Sequence, residues 1–347
     1  MMKKCTAIVL ALAMLLTLFS AQAFAEEDAE AALAEGMGYW WGTGPDGYDM
    51  KKAEAAFQKA ADLGCADAWY WLGNLAWCGV QDGQMKQALA YYQQAADQGC
   101  GLGLYGLGLL YREEKRGIKQ NFNTARDYFQ QAVDAGCLAG YLGLGAMYEN
   151  GEGTDKDGNK ALECYQKASE AEDWYIRNEA CRDIGLLYYD GVKGFEKDQA
   201  KALEWAQRAA DEEYVNAYTS LGYFYRYPVD SSEPDVAKCT EMYQKAADHG
   251  RPYNLAVIYE NGYGVQKNLK TANELFNQAI DGGRDAVSCL AALASNYLAG
   301  RGVTKNTDKA IEYANRALTA SGEYRGVVKP GNVGVGLAIK ILDQLGQ

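Results

Sequence analysis

Histidine is almost missing from this 347-residue chain: His249 is the only one. That excludes a His–His metal pair and leaves very little room for imidazole catalysis. His249 stands just before Gly250 at the end of a helical stretch, where a cation meets the negative end of the helix dipole. A structural role is therefore the expected one. His-Glu-x-x-His, Cys-x-x-Cys, Gly-x-Ser-x-Gly and Ser-x-x-Lys are absent as well. No catalytic residue, metal ligand or cofactor is assigned. Proline is scarce, with five residues, and no Ser/Gly-rich linker occurs, so a string of separate domains is not indicated. Lys and Arg number 34 against 46 acids, a formal charge of −12. A surface of that sign repels phosphate backbones, and no basic stripe offsets it, so nucleic acid is not an expected partner.

Long apolar runs are confined to the start. Lys3 and Lys4 precede an apolar stretch from Ala7 to Phe19, followed by Ala23-Phe24-Ala25. This is the anatomy of a secretory signal peptide over residues 1–25, with cleavage expected after Ala25. The expected location is then secreted, periplasmic or cell-envelope. Nothing later reaches the 18 apolar residues of a membrane span, so no membrane insertion is expected after cleavage.

What the chain has in abundance is a repeat of about 35 to 40 residues, from 26 to 320. Its first half places a small residue three positions before an aromatic. The small residues are Gly38, Gly73, Gly108, Gly145, Gly185, Gly222, Ala256 and Ala294; the aromatics include Trp41, Tyr111, Tyr148, Tyr188, Tyr225, Tyr259 and Tyr297. A glycine such as Gly44, Gly79 or Gly151 often follows. The second half carries Ala60, Ala95, Ala132, Ala168, Ala209, Ala246, Ala279 and Ala317 in one column, with another small residue seven positions earlier. Residues seven apart share a helix face two turns from each other, so small side chains there admit a neighbouring helix. A large ring usually lies between them, as Phe57, Tyr92, Phe129 and Tyr165 do. Gly64, Gly99, Gly136 and Gly250 stand where a left-handed cap would end the second helix. Each unit reads as helix A, a turn, helix B and a second turn. Such a hairpin cannot bury its apolar stripe alone, so neighbours stack. After a loop from Ser321 to Gly331, residues 332–345 resemble a capping helix within the tail 321–347.

Phrases such as Leu107-Gly108-Leu109-Leu110-Tyr111, and Ala88-Leu89-Ala90-Tyr91-Tyr92-Gln93-Gln94-Ala95-Ala96-Asp97-Gln98-Gly99, resemble the Sel-one-like repeat family, relatives of the tetratricopeptide repeats. The resemblance covers nearly all of residues 37–318. It implies an all-α, right-handed superhelical solenoid that acts as an adaptor for proteins or peptides. Two units depart from the pattern: the third has a longer turn through Gly117, and the sixth carries Pro228 to Pro234 where turn glycines belong.

Counting helix A from its small residue as zero, positions −3, −2, +1, +4 and +5 vary in identity and sweep the arc away from the core. In solenoids of this kind the A helices usually line the concave surface, so this arc is the candidate groove. It contains Tyr70, Trp71, Asn74, Trp77, Tyr105 and Arg112 in the early repeats. Arg182, Asp183, Tyr189, Tyr223, Arg226, Tyr253, Asn254 and Glu260 follow in the later ones. Tyr, Trp and Arg carry binding energy when desolvated, which suits a protein or extended peptide. A cell-surface glycan stacked on the rings is the alternative partner, and a hydrolase is the third reading. The column tyrosines, such as Tyr148 and Tyr259, are expected in the core.

Three motifs are set aside. Gly101-Leu102-Gly103-Leu104-Tyr105-Gly106 has dinucleotide-binding spacing but opens a helix A with no strand before it. Asp155 to Asn159 has its glycine in the wrong place for a calcium loop. Cys65, Cys100 and Cys137 recur at one repeat position, too far apart to bridge each other, whereas Cys164 and Cys181 could face each other as a candidate disulfide.

Overall fold

The computed structural model describes residues 26–42, 49–78, 84–113, 117–281, 286–321 and 333–346. The expected signal peptide, Gly44, Gly79 and all but Ser321 of the expected 321–331 loop lie outside them. The chain divides into two compact units, one ending at Cys137 and the other starting at Leu138. Unit 1 holds three hairpins: α1 (26–41) with α2 (Met50–Asp62), α3 (Ala66–Cys78) with α4 (Gln84–Asp97), and α5 (Gly101–Arg112) with α6 (Phe122–Asp134). Unit 2 holds five, starting with α7 (Ala139–Asn150) and α8 (Gly158–Ala168), then α9 (Trp174–Asp190) and α10 (Gln199–Asp211). Next come α11 (Val215–Arg226) with α12 (Val236–Asp248), α13 (Tyr253–Asn261) with α14 (Leu269–Asp281), and α15 (Ala286–Ala299) with α16 (Thr307–Ser321). A final helix, α17 (Val333–Gln344), closes unit 2.

The turn from helix A to helix B has one recurring chemistry. The residue that caps helix B donates its backbone N–H to the carbonyl of the column tyrosine. Asn121 does so to Tyr111, Asp157 to Tyr148, Asp198 to Tyr188, Asp235 to Tyr225, Asn268 to Tyr259 and Asn306 to Tyr297, at 2.7–3.0 Å. The capping side chain then accepts from an N–H of the first turn, as Asp198 does from Lys201 at 3.0 Å, satisfying a donor that has no helical partner. Where the third helical residue is lysine, its ammonium lies over the column ring. Lys160 covers Tyr148 at 5.4 Å, and Lys201, Lys238 and Lys309 cover Tyr188, Tyr225 and Tyr297 at 5.1 Å each. Tyr148 and Tyr259 are half-buried as a result, staples of the turn rather than the core residues expected of them.

This pattern corrects the first repeat. Asp49 donates to the carbonyl of Tyr39 at 3.1 Å, and Lys52 lies 5.2 Å over the Tyr39 ring. A Cβ on Gly36 would stand 2.5 Å from the Phe57 ring. The small residue and the column aromatic are therefore Gly36 and Tyr39, two positions before Gly38 and Trp41. Two nearby glycines and three successive aromatics allow both registers in the sequence.

All eight column alanines are buried, and the rings between them fill the gap that the small residues of helix A leave. A Cβ at Gly108 or Gly222 would come within 2.5 Å of the Phe129 or Tyr243 ring. The fifth and eighth repeats lack this ring, since Ala206 and Ala314 take its place, and in the fifth α9 closes onto α10 until a Cβ on Gly185 would meet the Ala202 carbonyl at 3.0 Å. Rings arrive there from the A helices instead, with Tyr189 stacked on Phe224 at 4.4 Å between centroids. The left-handed caps expected at Gly64, Gly99, Gly136 and Gly250 are present, at φ +96°, +84°, +81° and +80°. The fifth repeat uses Glu213 at φ +60° instead. The set-aside motifs are structural: Gly103 lets α5 approach the backbone of α4, and Asp157 caps α8. The expected capping helix is α17, which buries Ala338, Ile341 and Leu342 against α15 and α16.

Candidate functional site

In unit 1 the variable arc is largely packing. Tyr70 and Trp71 are buried, at 5% and 7% exposure, which corrects their placement in an open groove. The Trp71 ring stacks on Phe57 at 5.9 Å and meets Trp40 and Trp41 at 6.1 and 6.2 Å, while Tyr70 lies 5.7 Å from Tyr92. The physical cause is that α3 packs on the hairpin before it as well as on its own B helix, so Trp71 falls between α3 and the α1–α2 hairpin and Tyr70 falls against α4. Asn74 accepts a 2.6 Å hydrogen bond from the Tyr92 hydroxyl. Trp77 and Tyr105 are half-buried, 6.4 Å from Tyr92 and 5.7 Å from Phe129, and the half-buried Arg112 accepts from Gln120 through its carbonyl. Among the described residues of unit 1, the one exposed large apolar side chain is Leu63.

Unit 2 is different. Three of its tyrosines are among the most exposed large apolar side chains described: Tyr223 at 46%, Tyr227 at 45% and Tyr263 at 45%. The Tyr223 and Tyr227 rings lie 5.0 Å apart. The Arg226 guanidinium sits between Tyr227 and Tyr263, 4.9 and 4.0 Å from their centroids, so it ties the third tyrosine to the other two. Tyr189 supports them from beneath. It is buried, lies 5.4 Å from Tyr223, and donates a 2.6 Å hydrogen bond to the Tyr227 carbonyl. The proline-bearing segment 227–235 is pinned by the buried Gln199, whose amide accepts from the Val229 N–H at 3.1 Å and donates to the Phe224 carbonyl at 3.2 Å. Tyr227 and Tyr263 escape a search of helix A because both stand in turns. The signal for Tyr227 was the departure of the sixth repeat from its glycine turn.

Two turns towards the start of α9 lies a charged cluster. Arg182 pairs with Asp183 at 2.6 Å and with Glu179 at 3.2 Å. Glu179 also accepts from the Tyr214 hydroxyl, to which Asn216 donates at 2.7 Å. Glu149 accepts from Tyr165 at 2.6 Å. Burial pushes the Asp183 carboxyl up to about 7, with Glu179 and Glu149 adding to the rise and Arg182 opposing it. Burial works against the Arg182 charge, but Asp183 and Glu179 outweigh it and keep the guanidinium protonated. Its Nε is sealed from solvent and makes no hydrogen bond among the described residues. Tyr253, Asn254 and Glu260 are half-buried. Tyr253 packs 6.1 Å from Phe276, and Glu260 accepts from Asn296 at 3.3 Å.

Cys164 and Cys181 are free thiols, which corrects the candidate disulfide. Cys181 is buried in the cluster that contains Ala206 and Ala210 of α10, so it turns forward and away from α8. The Cys100 thiol donates to Asp67 at 2.9 Å, and burial followed by that carboxylate raises it well above the ordinary range. Among the described residues no group of three or more His, Cys, Asp or Glu is placed to hold a metal ion, and no helix is long and apolar enough to cross a membrane.

The Sel1 repeat model matches residues 28–65, 66–100, 101–137, 139–173, 178–214, 215–250, 253–283 and 287–321, one match for each hairpin. The chain belongs to the Sel1 repeat family. It is an all-α solenoid, and Sel1 repeats generally mediate protein–protein interaction and are typically non-catalytic. Two solved structures show the same fold. One is a Sel1 repeat protein from Oxalobacter formigenes, at 23% identity and a TM-score of 0.52, covering 95% of this chain and 91% of that one. The other is c5321, a protective antigen present in uropathogenic Escherichia coli strains and displaying an SLR fold, at 24% identity and a TM-score of 0.50. The match covers 91% of this chain and spans 65% of that chain's length. Comparison with curated proteins finds no match.

Proposed function

We propose that this Sel1 repeat protein is an exported, non-enzymatic scaffold that docks an extended segment of a partner protein on the A-helix face of unit 2. The observation that carries the reading is the exposed cluster of Tyr223, Tyr227 and Tyr263, held in place by Arg226 and by Tyr189 beneath. Rigid aromatic side chains lose little entropy on binding, and together these three offer a patch that the other turns of unit 2 do not. The residues of such a solenoid that are shared between repeats maintain the stack, so a break in the pattern is where specificity belongs. Export rests on the basic start, the apolar run and the Ala23-Phe24-Ala25 site.

A photo-crosslinking residue at position 223, with one at the exposed Lys270 as control, tests the site in the native cell. A discrete adduct at 223 alone, lost on Tyr227→Ala/Tyr263→Ala substitution at unchanged helicity, is the expected outcome. Equal labelling at both positions would remove the site. Amino-terminal sequencing of the protein from envelope and medium should begin at Glu26; a chain retaining Met1 inside the cell would overturn export.

A further inference from the structure

The docking site above, on which this inference rests, is rich in donors that the protein leaves without acceptors. Arg226 is the chief of them. Tyr227 and Tyr263 hold its guanidinium at 4.9 and 4.0 Å from their ring centroids. Among the described residues it makes no hydrogen bond and no ion pair, and its nitrogens reach solvent. Arg182 in the same unit is the opposite case, met by Asp183 at 2.6 Å and Glu179 at 3.2 Å. The hydroxyls of Tyr227 and Tyr263 also have no partner among the described residues. Elsewhere the packed tyrosines find acceptors at 2.6 Å, Tyr92 in Asn74, Tyr165 in Glu149 and Tyr189 in the Tyr227 carbonyl.

The acids closest in the fold are committed elsewhere. Asp230 accepts from the Ser232 N–H at 3.0 Å, and Asp235 from the Lys238 N–H at 3.0 Å while pairing with its ammonium at 3.6 Å. Glu260, the counterpart of Arg226 in the next repeat, accepts from Asn296 at 3.3 Å. Glu233, exposed on segment 227–235, does not pair with Arg226 either. A guanidinium presents its N–H groups in a planar fork that matches a carboxylate, and such charge-assisted bonds are about twice as strong as neutral ones. The rings beside Arg226 keep water back, which strengthens the pairing. Tyr223 and Tyr227 lie 5.0 Å apart, and Arg226 stands between Tyr227 and Tyr263. A segment that follows the three rings therefore crosses Arg226 part-way along its length, where it offers a side chain rather than a chain end.

We infer that the docked segment carries a carboxylate: an extended stretch of a partner protein lies along Tyr223, Tyr227 and Tyr263 and sets an aspartate or glutamate side chain against the Arg226 guanidinium. The chain's formal charge of −12 repels such a segment at long range, so a preference for it has to come from this local contact and not from the general surface.

Carboxy-terminally amidated peptide pools test the inference. They differ only in a fixed central Glu, Gln or Lys, and their randomised positions omit Asp and Glu. Retention on the immobilised full-length protein is measured at about 0.15 M salt. The Glu pool is expected to be retained about 10-fold better than the Gln pool, the worth of one charge-assisted hydrogen bond. Arg226→Gln should bring the Glu pool down to the level of the Gln pool and leave the Gln pool unchanged, at unaltered helicity, while Lys270→Gln changes neither. Equal retention of the Glu and Gln pools, lost in Tyr227→Ala/Tyr263→Ala, would overturn the acidic occupant and keep the docking site. So would a preference for the Lys pool. Equal loss of the Glu and Gln pools in Arg226→Gln would make Arg226 a support of the rings and overturn the carboxylate contact. A preference for Glu that survives Arg226→Gln would assign it to another cation and overturn it too. Retention of the Gln pool only with a free carboxy terminus would put a chain end at Arg226 and overturn the side-chain assignment. Failure to retain any pool would overturn both readings.

Discussion

Asp183 keeps its proton to about pH 7 because burial beside Glu179 and Glu149 outweighs the attraction of Arg182. Its folded value is raised above the unfolded one, so its contribution to stability is full below about pH 4. That contribution falls as the unfolded chain ionises and the folded chain does not, and it is gone above pH 7. Thermal melts between pH 4 and 7.5 should therefore show a shallower pH dependence for Asp183→Asn than for the parent; equal slopes would show that Asp183 ionises normally. Two backbone positions give opposite predictions. Glu213 adopts φ +60°, a conformation that costs a side-chain-bearing residue about 1–2 kcal/mol, and in four other repeats its counterpart is a left-handed glycine: Gly64, Gly99, Gly136 and Gly250. Glu213→Gly should raise stability by about 1 kcal/mol in urea unfolding. Gly222→Ala should lower it by a similar amount: overpacking against Tyr243 costs about 1–3 kcal/mol, and the better helix propensity of alanine returns about 1.

At the scale of the helix pair, the turn chemistry explains why so much was legible in the sequence. The capping residue and the column tyrosine three places after the small residue recur in register, with a lysine over the ring in five repeats. Eight copies therefore fix helices and turns together. Asp198→Ala removes one cap and should cost about 1 kcal/mol, read as a lower melting temperature; no change would mean that the Tyr188 carbonyl contact alone holds the turn. The first repeat was misread by two residues because Gly36 and Gly38, with Tyr39, Trp40 and Trp41, satisfy the same spacing. The candidate groove was legible only in part. A helical wheel separates the core arc from the rest, but it does not show that α3 meets the α1–α2 hairpin, which buries Trp71, or that α9 meets α11, which buries Tyr189. Nor does it reach Tyr227 and Tyr263, which are in turns. Their meeting depends on Arg226 and on the way Gln199 holds segment 227–235.

Within each unit, every substantial helix contact joins helices no more than two places apart in the chain. Stability is then close to a sum of hairpins and nearest-neighbour interfaces, and a defect should remain near its origin. The end of unit 2 is the place to measure this. There α17 covers an apolar surface on α15 and α16 with Ile341 and Leu342, each 3% exposed, and Leu290, Ala314 and Ala317 lie beneath. Ile341→Ala leaves a cavity at the last interface, a change that costs about 2–5 kcal/mol in a close-packed core. Hydrogen exchange should quicken across α15, α16 and α17 while α9 to α12, which hold Tyr189, Tyr223 and the charged cluster around Arg182, keep their protection. If protection were instead lost evenly across unit 2, the unit would be one cooperative core, and the exposed tyrosines could not be varied independently of its cap.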